Sequence, residues 1–115
     1  MGKCSVLIND VEYVRKDSID MAENYVIVRT YSAGVFAGEL EGRNGKEVVL
    51  RDARRIWYWD GAASLSQLAM EGTSKPENCK FPCAVDSITL TEAIEVIPCT
   101  EKAQKSIKGV KRWEK

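Results

Sequence analysis

Arg51-Asp52-Ala53-Arg54-Arg55-Ile56-Trp57-Tyr58-Trp59-Asp60-Gly61-Ala62-Ala63-Ser64-Leu65-Ser66-Gln67-Leu68-Ala69 changes character at its midpoint, and that change decides the fold class. The first half reads as a strand and the second as a capped helix. In an extended chain, Arg55, Trp57 and Trp59 share one face while Arg54, Ile56 and Tyr58 share the other. Each face then sets a guanidinium beside aromatic surface. That pairing suits a planar base with an attached phosphate, since the ring stacks and the arginine forks onto phosphate oxygens. The same residues suit a core, where rings on a strand bury and arginine stems cover their edges. Asp60-Gly61 is a turn signal. Ser64-Leu65-Ser66-Gln67 fits a capping box, with Ser64 as cap and Gln67 reaching back. The helix is predicted from Leu65 to Glu71, with Gly72 as its C′ residue. Backbone N–H groups left free at its start suit an anionic group.

Upstream, Tyr25 to Tyr31 is β-branched and aromatic, a strand by composition. Ser32-Ala33-Gly34 interrupts it, and Val35 to Gly42 resumes. Asn44-Gly45 is a hairpin signal, with Lys46 to Arg51 returning and Arg54 to Trp59 extending the meander. Gly34, Gly38 and Gly42 recur at four-residue spacing, which inside a hairpin marks close backbone approach or a bulge. Residues 4–14 form a predicted hairpin turning at Asn9-Asp10, followed by a polar linker over residues 15–24. This front piece (1–24) is an appendage to a domain over 25–115.

Downstream, Thr73 to Phe81 is a polar loop. Val85 to Ile97 shifts its alternation, which leaves one long strand or two joined by a bulge near Thr91. Pro98 ends it. Thr100 can cap a helix from Glu101 to Lys108 with Gly109 as C′ residue, burying Ala103 and Ile107 at i and i+4. The expected fold is α+β: an antiparallel β-sheet meander of about five strands with two short helices, plus the N-terminal hairpin.

At 115 residues the chain supports one modest core. Basic and acidic residues balance at 17 each, so net charge points neither to nucleic acid nor to a membrane. Lys102, Lys105, Lys108, Lys111, Arg112 and Lys115 face only Glu114 within their segment, a run whose default reading is a solvated tail. Their spacing also places several lysines along one side of a helix. The apolar runs fall short of the roughly 20 residues that span a bilayer, and the N-terminus lacks a signal-peptide core. The expected compartment is the cytoplasm, where Cys4, Cys79, Cys83 and Cys99 are thiols. Cys79 and Cys83 have C-x3-C spacing, but without histidine and with the other cysteines isolated they argue against zinc. The absence of histidine also removes serine–histidine and cysteine–histidine catalysis. Walker and G-x-G-x-x-G loops are missing too. Acid–base work by carboxylates or lysine stays open, though no paired-carboxylate motif supports it; with stacking rings and fixed cations abundant, the expectation is a binding protein, not an enzyme, needing no cofactor.

The run Ala53 to Trp59, with Gly61-Ala62, Ser64 to Ala69, Gly72 to Pro76 and Cys79 to Pro82, resembles a small bacteriophage family, the type-one Thoeris anti-defence proteins. Val28-Arg29, Gly34-Val35, Gly38, Ile94 to Ile97 and Thr100 to Ala103 fit the same likeness, which covers Tyr25 to Trp113 and leaves the front hairpin outside. The resemblance implies a non-enzymatic sponge. Such proteins bind signalling nucleotides made by bacterial TIR-domain defences, chiefly glycocyclic ADP-ribose and in some members cyclic trinucleotides, and withhold them from the effector. It further implies a homo-oligomer, a hexamer built from dimers, with ligands at subunit interfaces. Within the matching motifs, chemistry selects Trp57, Trp59 and Phe81 for stacking, and Arg29, Arg54, Arg55 and Lys108 for phosphate. Phe81, beside Pro82, fits either a pocket wall or a core plug. The rival from another class is a nucleic-acid-binding phage regulator using the same rings and the basic tail.

Overall fold

The structure is a computed structural model and describes residues 20–114. The hairpin expected at 4–14 lies outside the described residues. Five antiparallel strands form one sheet: β1 (Met21–Thr30), β2 (Val35–Asn44), β3 (Glu47–Arg55), β4 (Val85–Leu90) and β5 (Ala93–Thr100). Helices α1 (Leu65–Glu71) and α2 (Glu101–Gly109) pack on it, and a short 3-10 turn covers Pro76–Asn78. The α+β expectation holds. Met21 to Asn24, expected in a linker, belongs to β1.

The spatial order is β4-β3-β2-β1-β5. The first four strands are a meander, and β5 lies on the far side of β1. Only Thr91 and Glu92 separate β4 from β5, yet these strands are opposite edges of the sheet. In a flat sheet, four strand spacings put the edges about 19 Å apart. Three Cα–Cα steps from Leu90 to Ala93 reach at most about 11 Å. The sheet must therefore curl until its corners meet. Leu90 pairs with Val48 at one corner, Ala93 pairs with Thr30 at the other, and the Ala93 N–H donates to the Lys46 carbonyl at 3.0 Å. Of the two readings left open for Val85–Ile97, the division near Thr91 is realised, but as a break between two separately paired strands and not as a bulge.

Register shifts between Ala37 and Glu39 and between Leu40 and Gly42 supply extra twist for this curl. Gly38 is part of the first. A Cβ there would lie 3.1 Å from both the Ala53 Cα and the Arg51 carbonyl, so any larger residue would push these strands apart by a few tenths of an ångström. Opposite it, Asp52 has φ 51°, a bulge conformation that turns Ala53 back toward the interior.

Alternation along β1 divides the apolar residues between two cores. Val26 and Val28 enter the curl with Phe36, Val48, Leu50 and Leu90. Tyr25 and Ile27 face the helices with Leu68, Phe81, Cys99, Ala103 and Ile107. Burial on both faces explains why Tyr25 to Val28 of β1 is an unbroken apolar run.

The caps follow local chemistry. The Ser64 Oγ accepts from the Gln67 N–H at 3.2 Å, the Gln67 Oε1 accepts from the Ala63 N–H, and the Gly72 N–H donates to the Leu68 carbonyl. The Thr100 Oγ1 accepts from the Ala103 N–H and donates to the Met70 carbonyl, linking the two helices. Gly109, expected as C′ residue, is the last residue of α2, and Val110 takes the cap. Gly45, at φ 62°, begins the two-residue turn between Asn44 and Glu47.

One strand expectation fails. Arg54 to Trp59 is not a strand of its own: Arg54 and Arg55 end β3, and beyond them only Tyr58 makes a bridge, to Lys80. The alternation that put Arg55, Trp57 and Trp59 on one sheet face therefore lacks a sheet. Among the described residues no helix is long and apolar enough to cross a membrane.

Candidate functional site

The residues singled out by sequence chemistry do not converge. Arg54 is 8% exposed, and its guanidinium is consumed by three carbonyls: Pro82 at 3.0 Å, Phe81 at 3.0 Å and Ile107 at 2.9 Å. Burial lowers its pKa from the ordinary arginine value. Phe81 is fully buried, with the Arg54 guanidinium 5.4 Å from its ring centroid. Both expectations need correcting: Arg54 clamps the backbone instead of phosphate, and Phe81 is the core plug. The other arginines are also engaged. The Arg55 guanidinium lies 4.5 Å over the Phe36 ring and donates to the Ala33 carbonyl at 2.7 Å. Arg29 pairs with Glu95 at 2.8 Å across β1 and β5. Lys108 sits 3.8 Å from Glu39 and 3.7 Å from Asp52, above the Tyr25 ring. Trp59 packs partly buried against the helix-side core, and Trp57 stands 64% exposed.

What does converge is a group built by short backbone bridges beyond the sheet. Tyr58 pairs with Lys80, whose N–H donates to the Tyr58 carbonyl at 2.7 Å and whose carbonyl accepts from the Trp57 N–H at 3.1 Å. Phe81 bridges in parallel to Arg112, and the Trp113 N–H donates to the Phe81 carbonyl at 3.0 Å. Three segments far apart in sequence thus lie side by side. The Lys80 ammonium is 5.9 Å from the Tyr58 ring centroid and 5.6 Å from that of Trp113.

Next to Trp113 opens a cleft of ≈ 390 Å³ lined by Pro76, Glu77, Lys111 and Arg112, within the range of small-molecule sites. Among the described residues Lys80 and Lys111 have no carboxylate at ion-pair distance, while Arg112 reaches Glu114 at 3.4 Å. A second cleft, of ≈ 400 Å³, is lined by Glu23, Glu39 and Glu41 with Arg51 as its only cation. Its carboxylates repel phosphate, whereas the first cleft sets Lys111 and Arg112 against the single carboxylate of Glu77.

The loop bearing Pro76 is held firmly. Asp60 accepts from the Gly61 N–H at 2.8 Å and from the Asn78 amide at 3.0 Å. These bonds, Asn78 first, hold its carboxyl below the usual range. The Thr73 hydroxyl donates to the Asp60 carbonyl, and the Ser74 N–H to the Gly61 carbonyl at 3.2 Å. Cys79 and Cys99 are buried free thiols and Cys83 an exposed one. Among the described residues no three His, Cys, Asp or Glu side chains are grouped to hold a metal.

Sequence reasoning passed over Tyr58, Lys80, Lys111 and Trp113 as site residues. Tyr58 lay in the decisive stretch but was assigned the face of Ile56. Nothing local marks Lys80 or Trp113, because their proximity depends on the bridges at Phe81.

Fold and site together define a small α+β domain: a curled antiparallel sheet, two helices on one face, and a cleft at their margin bearing Trp113, Lys111 and Arg112. The chain belongs to the family described as a domain of unknown function, DUF6948, whose match spans residues 23–107. No curated protein and no solved structure matches it.

Proposed function

We propose that this chain binds an anionic nucleotide and sequesters it without turnover, the ligand being a cyclic ADP-ribose signal of the kind the sequence resemblance implies. This reading places it in the cytoplasm of an infected bacterial cell. The observation that supports it most is Lys80 within 6 Å of the ring centroids of both Tyr58 and Trp113, the latter lining a cleft that bears Lys111 and Arg112. Rings offer the flat surface a base stacks on, and the cations offer partners for phosphates.

Magnitudes set what one subunit can do. One stacked base adds about 1–3 kcal/mol and two charge-assisted contacts about 1.5–3 kcal/mol each. The sum, about 4–9 kcal/mol, barely reaches the 8.2 kcal/mol of micromolar binding before association costs. Tight capture therefore requires a second surface, which the proposed homo-oligomer would supply.

The test is to denature purified protein, identify the nucleotide released, and then incubate the protein with cyclic ADP-ribose isomers. Recovery of intact ligand is expected. Conversion to linear ADP-ribose would mean an enzyme, and a protein that neither carries nor takes up nucleotide would end the proposal. Light scattering that shows a monomer with micromolar affinity would remove the second-surface requirement.

A further inference from the structure

Lys80 occupies an unusual position for a surface lysine. Its backbone is pinned on both sides of the peptide unit by Tyr58 and Trp57, so its Cα cannot move. Its ammonium is free of carboxylates among the described residues and rests instead within 6 Å of two ring centroids, at 5.9 and 5.6 Å. A cation on an exposed ring is weakly held, and a planar base stacks on the same ring more favourably. A base stacking on the Tyr58 or Trp113 ring face that the ammonium covers therefore displaces it, and it must find a new partner within the reach of its four-carbon stem.

We infer that Lys80 is the specificity-determining residue of this site: it covers the Tyr58 and Trp113 rings in the free protein and becomes the phosphate partner when a base stacks there. This inference rests on the nucleotide reading. A nucleoside without phosphate expels the ammonium into water and gains nothing from it. A nucleoside diphosphate expels it onto its own phosphates. The site thus selects for phosphate by a displacement that other surface cations cannot make, since Lys111 and Arg112 do not rest on the Tyr58 ring.

The experiment measures affinities of ADP and adenosine by Trp fluorescence and calorimetry, in the full chain, with Lys80→Met and Lys80→Arg beside the wild type. Met keeps the apolar stem without charge, and Arg keeps the charge. The ADP-over-adenosine preference should fall about tenfold in Lys80→Met, equivalent to about 1.4 kcal/mol, and survive in Lys80→Arg. Adenosine should bind Lys80→Met at least as well as wild type, because no cation has to leave. A general loss of packing would weaken both ligands together. An unchanged preference in Lys80→Met would overturn the inference and leave nucleotide binding standing. Failure of both probes to bind the wild type would overturn the inference, while the reading beneath it falls only if cyclic ADP-ribose isomers also fail to bind.

Discussion

Arg54→Met tests whether the buried guanidinium is a clamp or a ligand group. The guanidinium joins three parts of the molecule: β3, the Phe81-Pro82 loop, and the carbonyl of Ile107 in the last turns of α2. A cation there also complements the negative end of the helix. Methionine fills similar length but leaves the three carbonyls without that donor. The Phe81 and Ile107 carbonyls keep the Trp113 and Val110 N–H groups, so the loss is that of three charge-assisted bonds at about 1.5–3 kcal/mol each, a gross loss of about 5–9 kcal/mol. Relief from burying a charge offsets several kcal/mol of this, consistent with the lowered pKa of Arg54. A net loss of about 2–4 kcal/mol remains, against a total stability of about 5–15 kcal/mol for such domains. At roughly 4–8 °C per kcal/mol, the Tm should fall by at least about 8 °C in a circular-dichroism melt. Hydrogen exchange should show the last turn of α2 opening first. Arg54→Lys should lie between the two, since one ammonium cannot reproduce the fork. A Tm within about 4 °C of wild type would refute the clamp, because it would bound the loss near 1 kcal/mol.

Gly61 has φ 84°, and a Cβ there would fall 2.5 Å from the Lys75 nitrogen and the Thr73 hydroxyl. Gly61→Ala should therefore cost about 2 kcal/mol or more in urea denaturation, and a loss below about 0.5 kcal/mol would show that the loops can part. Burial pushes the Cys99 thiol up to about 12 and raises the Tyr25 phenol as well. At pH 8 exposed Cys83 should be alkylated readily while Cys99 resists until the protein unfolds. Because both acids bind their protons more tightly when folded, their stabilising effect is complete below about pH 8.5 and is lost as pH rises toward 12. A Tm that stays flat up to about pH 11 would contradict that linkage.

By itself the sequence determined what adjacent residues can settle. Ser64 with Gln67, Gly72, and Thr100 with Ala103 act over three or four residues, so their caps were legible and formed where expected. Asn44-Gly45 placed the central hairpin to within one residue, and the closely spaced glycines announced the bulges at Gly38 and Gly42. The α+β class followed from those local signals, whereas the count of about five strands held because the division of Val85–Ile97 replaced the strand lost at Arg54–Trp59. Tertiary structure alone decided the rest. The two-residue link at Thr91-Glu92 signals only a break in sequence; it forces a curl because β5 pairs with β1 instead of β4. Arg54 and Phe81 have the chemistry of a ligand site and were consumed by the core, since three carbonyls from distant segments reach the guanidinium first. Tyr58, Lys80 and Trp113 lie in separate segments, and no periodicity links them. Only the backbone bridges across Lys80 and Phe81 set their side chains on one surface, because side-chain chemistry is written residue by residue while proximity is created by the fold.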